Sequence, residues 1–171
     1  MAKVKKPKRG FGFCVEKGAA FSPDRLYRYA LWRIWDRRRP QLAVVGLNPS
    51  TADEKADDPT ITRCTGFAKA WSLGGLVMLN LFAYRATDPK ELLLIQDPVG
   101  KDNDRTIVEC CDKAQGPVIV AWGNGGSLQG RDLAVLALLS SFQVCCLGKT
   151  KDGYPRHPLY MPKDAVREVY P

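Results

Sequence analysis

Leu42-Ala43-Val44-Val45-Gly46-Leu47-Asn48-Pro49-Ser50 is an apolar run that breaks at once into a polar turn, and its reading decides the fold. Three further stretches repeat the pattern: Leu76-Val77-Met78-Leu79-Asn80-Leu81-Phe82, Val118-Ile119-Val120-Ala121-Trp122-Gly123, and Val144-Cys145-Cys146-Leu147-Gly148 leading to Arg156-His157-Pro158-Leu159-Tyr160. Strands buried on both faces of a parallel sheet read as continuous apolar runs. Open α/β sheets bind ligands beyond the carboxyl ends of such strands, so the residues just past these four runs form the candidate site.

Working outward, the segments between the runs read as helical. Asp58-Pro59-Thr60 predicts a helix start running through Arg63, Phe67 and Trp71 to Gly74-Gly75, and Thr51-Ala52-Asp53-Glu54 has the spacing of a capping box. Asp88-Pro89 opens a short helix over 90–96, a second covers 104–114 before Gly116-Pro117, and 130–140 repeats apolar residues at helical spacing. Alternating strands and helices predict right-handed crossovers. The expected fold is α/β: a three-layer α/β/α sandwich around a four-stranded, mostly parallel sheet, with 25–35 as an N-terminal edge strand. Residues 1–24 read as a basic flexible lead-in, punctuated by Gly10, Gly12, Gly18 and Ser22-Pro23, and 25–171 as a single α/β domain.

Composition agrees with one soluble domain: 171 residues, 45% hydrophobic and 26% charged, are enough for a proper core. No stretch approaches the roughly 20 apolar residues needed to cross a bilayer, and the basic start lacks the apolar core of a signal peptide. A cytoplasmic protein without a membrane partner is expected. The formal charge of +8 is concentrated at one end, since residues 1–40 hold twelve Lys and Arg against three Asp and Glu. Phosphate backbones are the commonest partner of such a patch, although a solvated tail needs none. Arg28, Arg33, Arg37, Arg38 and Arg39, interleaved with Tyr27, Tyr29, Trp32 and Trp35, are the candidate nucleic-acid contacts, with Arg156 beside the last run.

The six cysteines show no C-x-x-C spacing, so reduced core thiols are expected rather than a metal site. Leu147-Gly148-Lys149-Thr150 mimics the end of a phosphate-binding loop, but Gln143 stands where the required glycine would be. Gly123-Asn124-Gly125-Gly126 precedes a helix and reads equally as a phosphate cradle or a connector.

From about Arg25 to Pro162 the chain resembles a small bacterial and phage domain family of unknown function. The carrying runs include Tyr27-Arg28-Tyr29, Asp57-Asp58-Pro59-Thr60 and Asn80-Leu81-Phe82-Ala83-Tyr84-Arg85-Ala86-Thr87. The same motifs, in order, resemble those of the uracil-DNA glycosylase superfamily. That resemblance implies Asn48, in Gly46-Leu47-Asn48-Pro49, as the residue holding the attacking water. It implies Asn80 as the reader of a pyrimidine edge, Trp122-Gly123 as the close of the third strand, and His157-Pro158-Leu159 as the loop that stabilises the departing base and inserts a wedge into DNA.

Breaking an N-glycosidic bond develops positive charge on the sugar and negative charge on the base, so a positioned water and a donor to the base carbonyl are needed. An amide orients water but is a poor base, which predicts slow catalysis by Asn48. Asn80 offers both a donor and an acceptor, matching the carbonyl and N–H of a uracil-like base. Ser50 stands where efficient uracil-specific members of the superfamily carry an aromatic residue, which implies room for a 5-substituent. Phe67 is the stacking candidate, with Trp71 second, and either could equally be core.

The expected activity is thus that of a DNA glycosylase-like hydrolase flipping uracil or a 5-substituted pyrimidine into a pocket, without a cofactor. A catalytically inactive nucleic-acid-binding module remains an alternative. So does a metal-dependent nucleotide hydrolase using Asp53, Asp57 and Asp58, which otherwise read as helix caps or as suppliers of the missing general base. Structural readings stand beside these: Asn48 as a turn former, Asn80 as a buried amide paired with a loop, and His157 as incidental.

Overall fold

The computed structural model describes residues 16–170, whose strands join in one mixed sheet. In chain order they are β1 (Glu16–Phe21), β2 (Arg28–Ile34), β3 (Gln41–Gly46), β4 (Gly75–Asn80), β5 (Val118–Val120), β6 (Val144–Cys146) and β7 (Glu168–Val169). They lie side by side as β1-β2-β4-β3-β5-β6-β7. The pairings of β3 with β4, β3 with β5 and β5 with β6 are parallel. Those of β1 with β2, β2 with β4 and β6 with β7 are antiparallel. The chain is therefore α/β, with a seven-stranded mixed sheet in place of the four strands plus one edge that the sequence suggested.

Period-two alternation along the apolar runs divides the core between the two faces of this sheet. On one side Leu42, Val44, Leu76 and Met78 pack against Ile61, Cys64, Phe67 and Ala68 of α1 (Pro59–Ala70). On the other, Ala43, Val45, Val77 and Leu79 meet Ile107, Cys111 and Ala114 of α2 (Asn103–Ala114), with Val135 of α3 (Arg131–Leu138). Chain direction fixes where the parallel strands end. The chain leaves β3 for β4 on one side and later reaches β5 on the other, so the carboxyl end of β3 is a topological switch point.

Three expectations are corrected here. Residues 16–21 are not part of a flexible lead-in, because β1 pairs along β2 and its Gly18 lets the chain pass over Trp32; a Cβ there would stand 2.5 Å from Trp32 Cζ2. With β1 outside it, β2 is an interior strand rather than the edge. Residues 1–15, with Cys14 and most of the basic lead-in, lie outside the described residues. Thr51–Glu54 forms no capping box, since Asp53 folds its own turn: its Oδ1 accepts from the N–H groups of Lys55 (2.8 Å) and Ala56 (2.7 Å). The helix begins instead at Pro59, where Asp58 Oδ1 accepts from Ile61 N–H at 2.8 Å.

Among the described residues no helix is long and apolar enough to cross a membrane. Cys64, Cys110, Cys111, Cys145 and Cys146 are free thiols, and burial raises those of Cys64 and Cys111 to about 12.

Candidate functional site

Beyond the carboxyl ends of β3, β4 and β5 the protein holds a cavity of about 380 Å³, within the roughly 300–1,000 Å³ of small-ligand sites. Gly46, Leu47 and Asn48 line it from β3, Met78 and Asn80 from β4, and Trp122 and Gly123 from the end of β5. Ser50, Asp58, Thr87 and Arg28 close the sides, while His157, Leu159 and Tyr160 form a wall from the chain after β6.

Asn80 is the last residue of β4 and is 1% exposed, yet neither Oδ1 nor Nδ2 has a partner in the protein. Its backbone, by contrast, is held firmly. Asn103 Nδ2, fully buried, donates to the carbonyls of Asn80 (3.1 Å) and Leu81 (2.9 Å), and Arg131 Nε donates to Leu81 O at 2.8 Å. Gly46 makes room for the amide from the neighbouring strand. A Cβ there would lie 3.2 Å from Asn80 Oδ1 and 2.8 Å from Met78 Cε.

Asn48 has its amide nitrogen committed, donating to Ala86 O (2.8 Å) and Pro49 O (3.1 Å). Its Oδ1 is thereby left as the atom that can accept from a ligand or a water. In His157, Nδ1 accepts the Leu159 N–H at 3.3 Å, so the neutral ring carries its proton on Nε2. Burial lowers the pKa of this imidazole below 6.5, against a weaker opposing pull from Asp58. The neutral donor form is favoured at physiological pH. Arg63 Nη1, on α1, donates to Met161 O at 3.0 Å and ties the His157 segment to the helix.

A family model described as a protein of unknown function, DUF1643, matches residues 28–159, a span that begins at Arg28 and takes in every cavity-lining residue except Tyr160. The chain belongs to this family. Comparison with curated proteins and with solved structures finds no match. The DUF1643 span thus marks out the cavity-bearing part of the chain without attaching an activity to it.

Of the residues read from the sequence, the DUF1643 cavity brings together Asn48, Ser50, Asn80, His157 and Leu159. Phe67 is not among them. It is 2% exposed on the inner face of α1 and stacks on Trp71 at 5.6 Å between centroids, because helical spacing turns it toward the sheet. The proposed nucleic-acid arginines separate. Arg33 is buried, with Nε on Asp57 Oδ1 (2.7 Å) and Nη2 on Asp53 O (2.6 Å), and acts as an internal clamp on the 51–58 loop. Arg37 pairs with Glu16, and Arg38 and Arg39 pair with Asp36. All three lie beside the starts of β3 and β4, at the opposite end of the sheet from the cavity. Arg156 is exposed next to the His157 segment but does not line the cavity.

The acidic cluster is dispersed likewise: Asp53 makes its turn, Asp57 pairs with Arg33 and Asp58 caps α1. Among the described residues no three such side chains stand together as a metal site. Arg28, assigned from sequence to a nucleic-acid surface, is instead 2% exposed and lines the cavity, where burial lowers its pKa to about 10. Sequence reasoning also missed Asn103 and Arg131. An Asn after a turn and an Arg opening a helix carry no signal that they will hold a distant strand end.

Proposed function

We propose that this protein binds a pyrimidine extruded from a nucleic acid and hydrolyses its N-glycosidic bond, in the manner of the uracil-DNA glycosylase superfamily that its motifs resemble. The carrying observation is the Asn80 amide, buried with an unpartnered donor and an unpartnered acceptor at the edge of a ring-sized cavity. Such a group gains its missing hydrogen bonds from a planar ligand presenting an adjacent carbonyl and N–H, which is the edge of uracil or thymine. Nε2–H of His157 suits the other carbonyl, where negative charge gathers as the base leaves. Asn48 Oδ1 would orient the water that attacks the sugar, and the small Ser50 leaves space beside a 5-substituent. Leu159 and Tyr160, 39% and 78% exposed, stand at the mouth where a flipped base would leave a gap in the stack. The α/β class, with helices packed on both faces of the sheet, supports this reading.

A second reading has its own observation. Asn48 supplies no carboxylate, and Asp58, which lines the cavity, is occupied as a helix cap, so the site lacks a free general base. That favours a module that binds without cleaving. Both readings are tested by incubating single- and double-stranded oligonucleotides bearing uracil or a 5-substituted pyrimidine with wild type, Asn48→Ala and Asn80→Ala. We expect alkali-labile abasic product from the wild type, reduced about 100-fold in Asn48→Ala, and loss of binding in Asn80→Ala. Binding without product selects the inactive module, and absence of both sinks the pyrimidine reading.

A further inference from the structure

Two guanidinium groups beside the cavity make no salt bridge among the described residues, although Asp58 and Asp53 act on Arg28 from a distance. Arg28 donates from Nη1 to Ala52 O at 2.7 Å, while its Nε is buried and meets no acceptor. Arg85, half-buried, donates from Nη1 to Arg25 O at 3.3 Å, and its Nε is equally without an acceptor. Arg25 is balanced by Glu54 at 3.0 Å. Neither Arg28 nor Arg85 forms an ion pair with a carboxylate among the described residues. Both Arg25 and Arg85 lie over the Phe21 ring, at 3.9 Å and 5.1 Å from its centroid, which holds their planes in place.

Arg85 lines a second hollow of about 370 Å³ together with Arg25, Ser50, Thr51 and Thr87. This hollow shares Ser50, Ala86 and Thr87 with the Asn80 cavity, whose own wall includes Arg28. The Asn80 cavity therefore adjoins, across a threshold bearing the Ser50 and Thr87 hydroxyls, a hollow lined by two arginines. Guanidinium forks and hydroxyls are the donors that phosphate oxygens accept best.

We propose that the second hollow is a phosphate subsite: it receives the phosphoryl group of the nucleotide whose base enters the Asn80 cavity, with Arg85 as counter-ion and Ser50 and Thr87 as neutral donors, while Arg28 adds positive charge from the wall of the Asn80 cavity. The assignment rests on the base-pocket reading above and adds to it the group that anchors the ligand. The phosphoryl group can be the 5′-phosphate of a mononucleotide or a backbone phosphodiester. It replaces the exposed run Arg37 to Arg39 as the place where phosphate is recognised.

Calorimetric titration tests this with deoxyuridine, deoxyuridine monophosphate, a short single strand carrying one deoxyuridine, and inorganic phosphate. The proteins are wild type, Arg85→Gln, Arg85→Lys and Asn80→Ala, each first checked for an intact melting transition. Wild type should bind at least one phosphorylated probe about tenfold or more tightly than the nucleoside. Arg85→Gln should erase that gain without altering nucleoside affinity, and Arg85→Lys should keep part of it. A gain confined to the single strand identifies the phosphodiester, and one confined to the monophosphate identifies the free nucleotide. Equal affinity for the nucleoside, the monophosphate and the single strand in wild type, or a gain that survives Arg85→Gln, overturns the subsite. Failure of the base reading looks different: inorganic phosphate binds in an Arg85-dependent way while the nucleoside does not bind, or binds Asn80→Ala unchanged.

Discussion

Asn80 and His157 draw their chemistry from what surrounds them rather than from their type. The buried amide at the end of β4 has no protein partner for either of its polar atoms, and the imidazole is held neutral by burial with Nδ1 already engaged. The consequence for pH follows from the sign of that shift. An unfolded chain takes up the His157 proton near pH 6.5, whereas the folded chain resists it. The stability tied to the neutral ring is therefore present above pH 6.5 and is lost as the pH falls through the lowered folded value. In urea melts, the wild type should lose more stability between pH 7 and pH 5 than His157→Gln does; parallel losses would refute the assignment. At this scale the sequence was informative wherever a polar residue directly ends an apolar run, as at Asn48 and Asn80. It was not informative for Phe67, whose helical position fits a pocket or a core equally, or for Arg28 and Arg33. A cation in a basic stretch reads as solvated until a facing loop of carbonyls is seen to receive it.

Gly46 shows how one element positions another. It lies opposite Asn80 in the β3 and β4 register, and its missing side chain is the space in which that amide and the tip of Met78 sit. Gly46→Ala should leave the fold intact but cost about 1–3 kcal/mol in urea unfolding, and it should weaken nucleoside binding by displacing the amide. Unchanged affinity would mean that the amide does not read the ligand. Elements opened by an Asp-Pro pair were legible, since Asp58 and Asp88 both cap the turns that follow. The outer strands were not. β1 is rich in Gly and Ala and takes its place through the fit of Gly18 over Trp32, and β7 is only two residues long. Neither carries an apolar period long enough to read.

Across the whole molecule, charge and site are arranged differently from the order of the chain. The basic N-terminal quarter is split by the antiparallel course of β2, which delivers Arg28 to the cavity end of the sheet and Arg37, Arg38 and Arg39 to the other. Replacing those three by Gln should change nucleotide affinity by no more than about twofold at physiological salt, where charges more than about 8 Å apart in solvent are largely screened. A tenfold loss would instead place the phosphate contact at the far end. The overall α/β character was legible because each apolar run became a strand. The mixed edges were not, because β1 has no apolar alternation and β7 is only two residues long, although each pairs antiparallel with the strand next to it in sequence. The gathering of the cavity-lining loops at the ends of β3, β4 and β5 has a last consequence. Descendants of this chain could exchange one guest molecule for another by rewriting a few connecting segments, while the hydrocarbon interior beneath them is inherited unaltered.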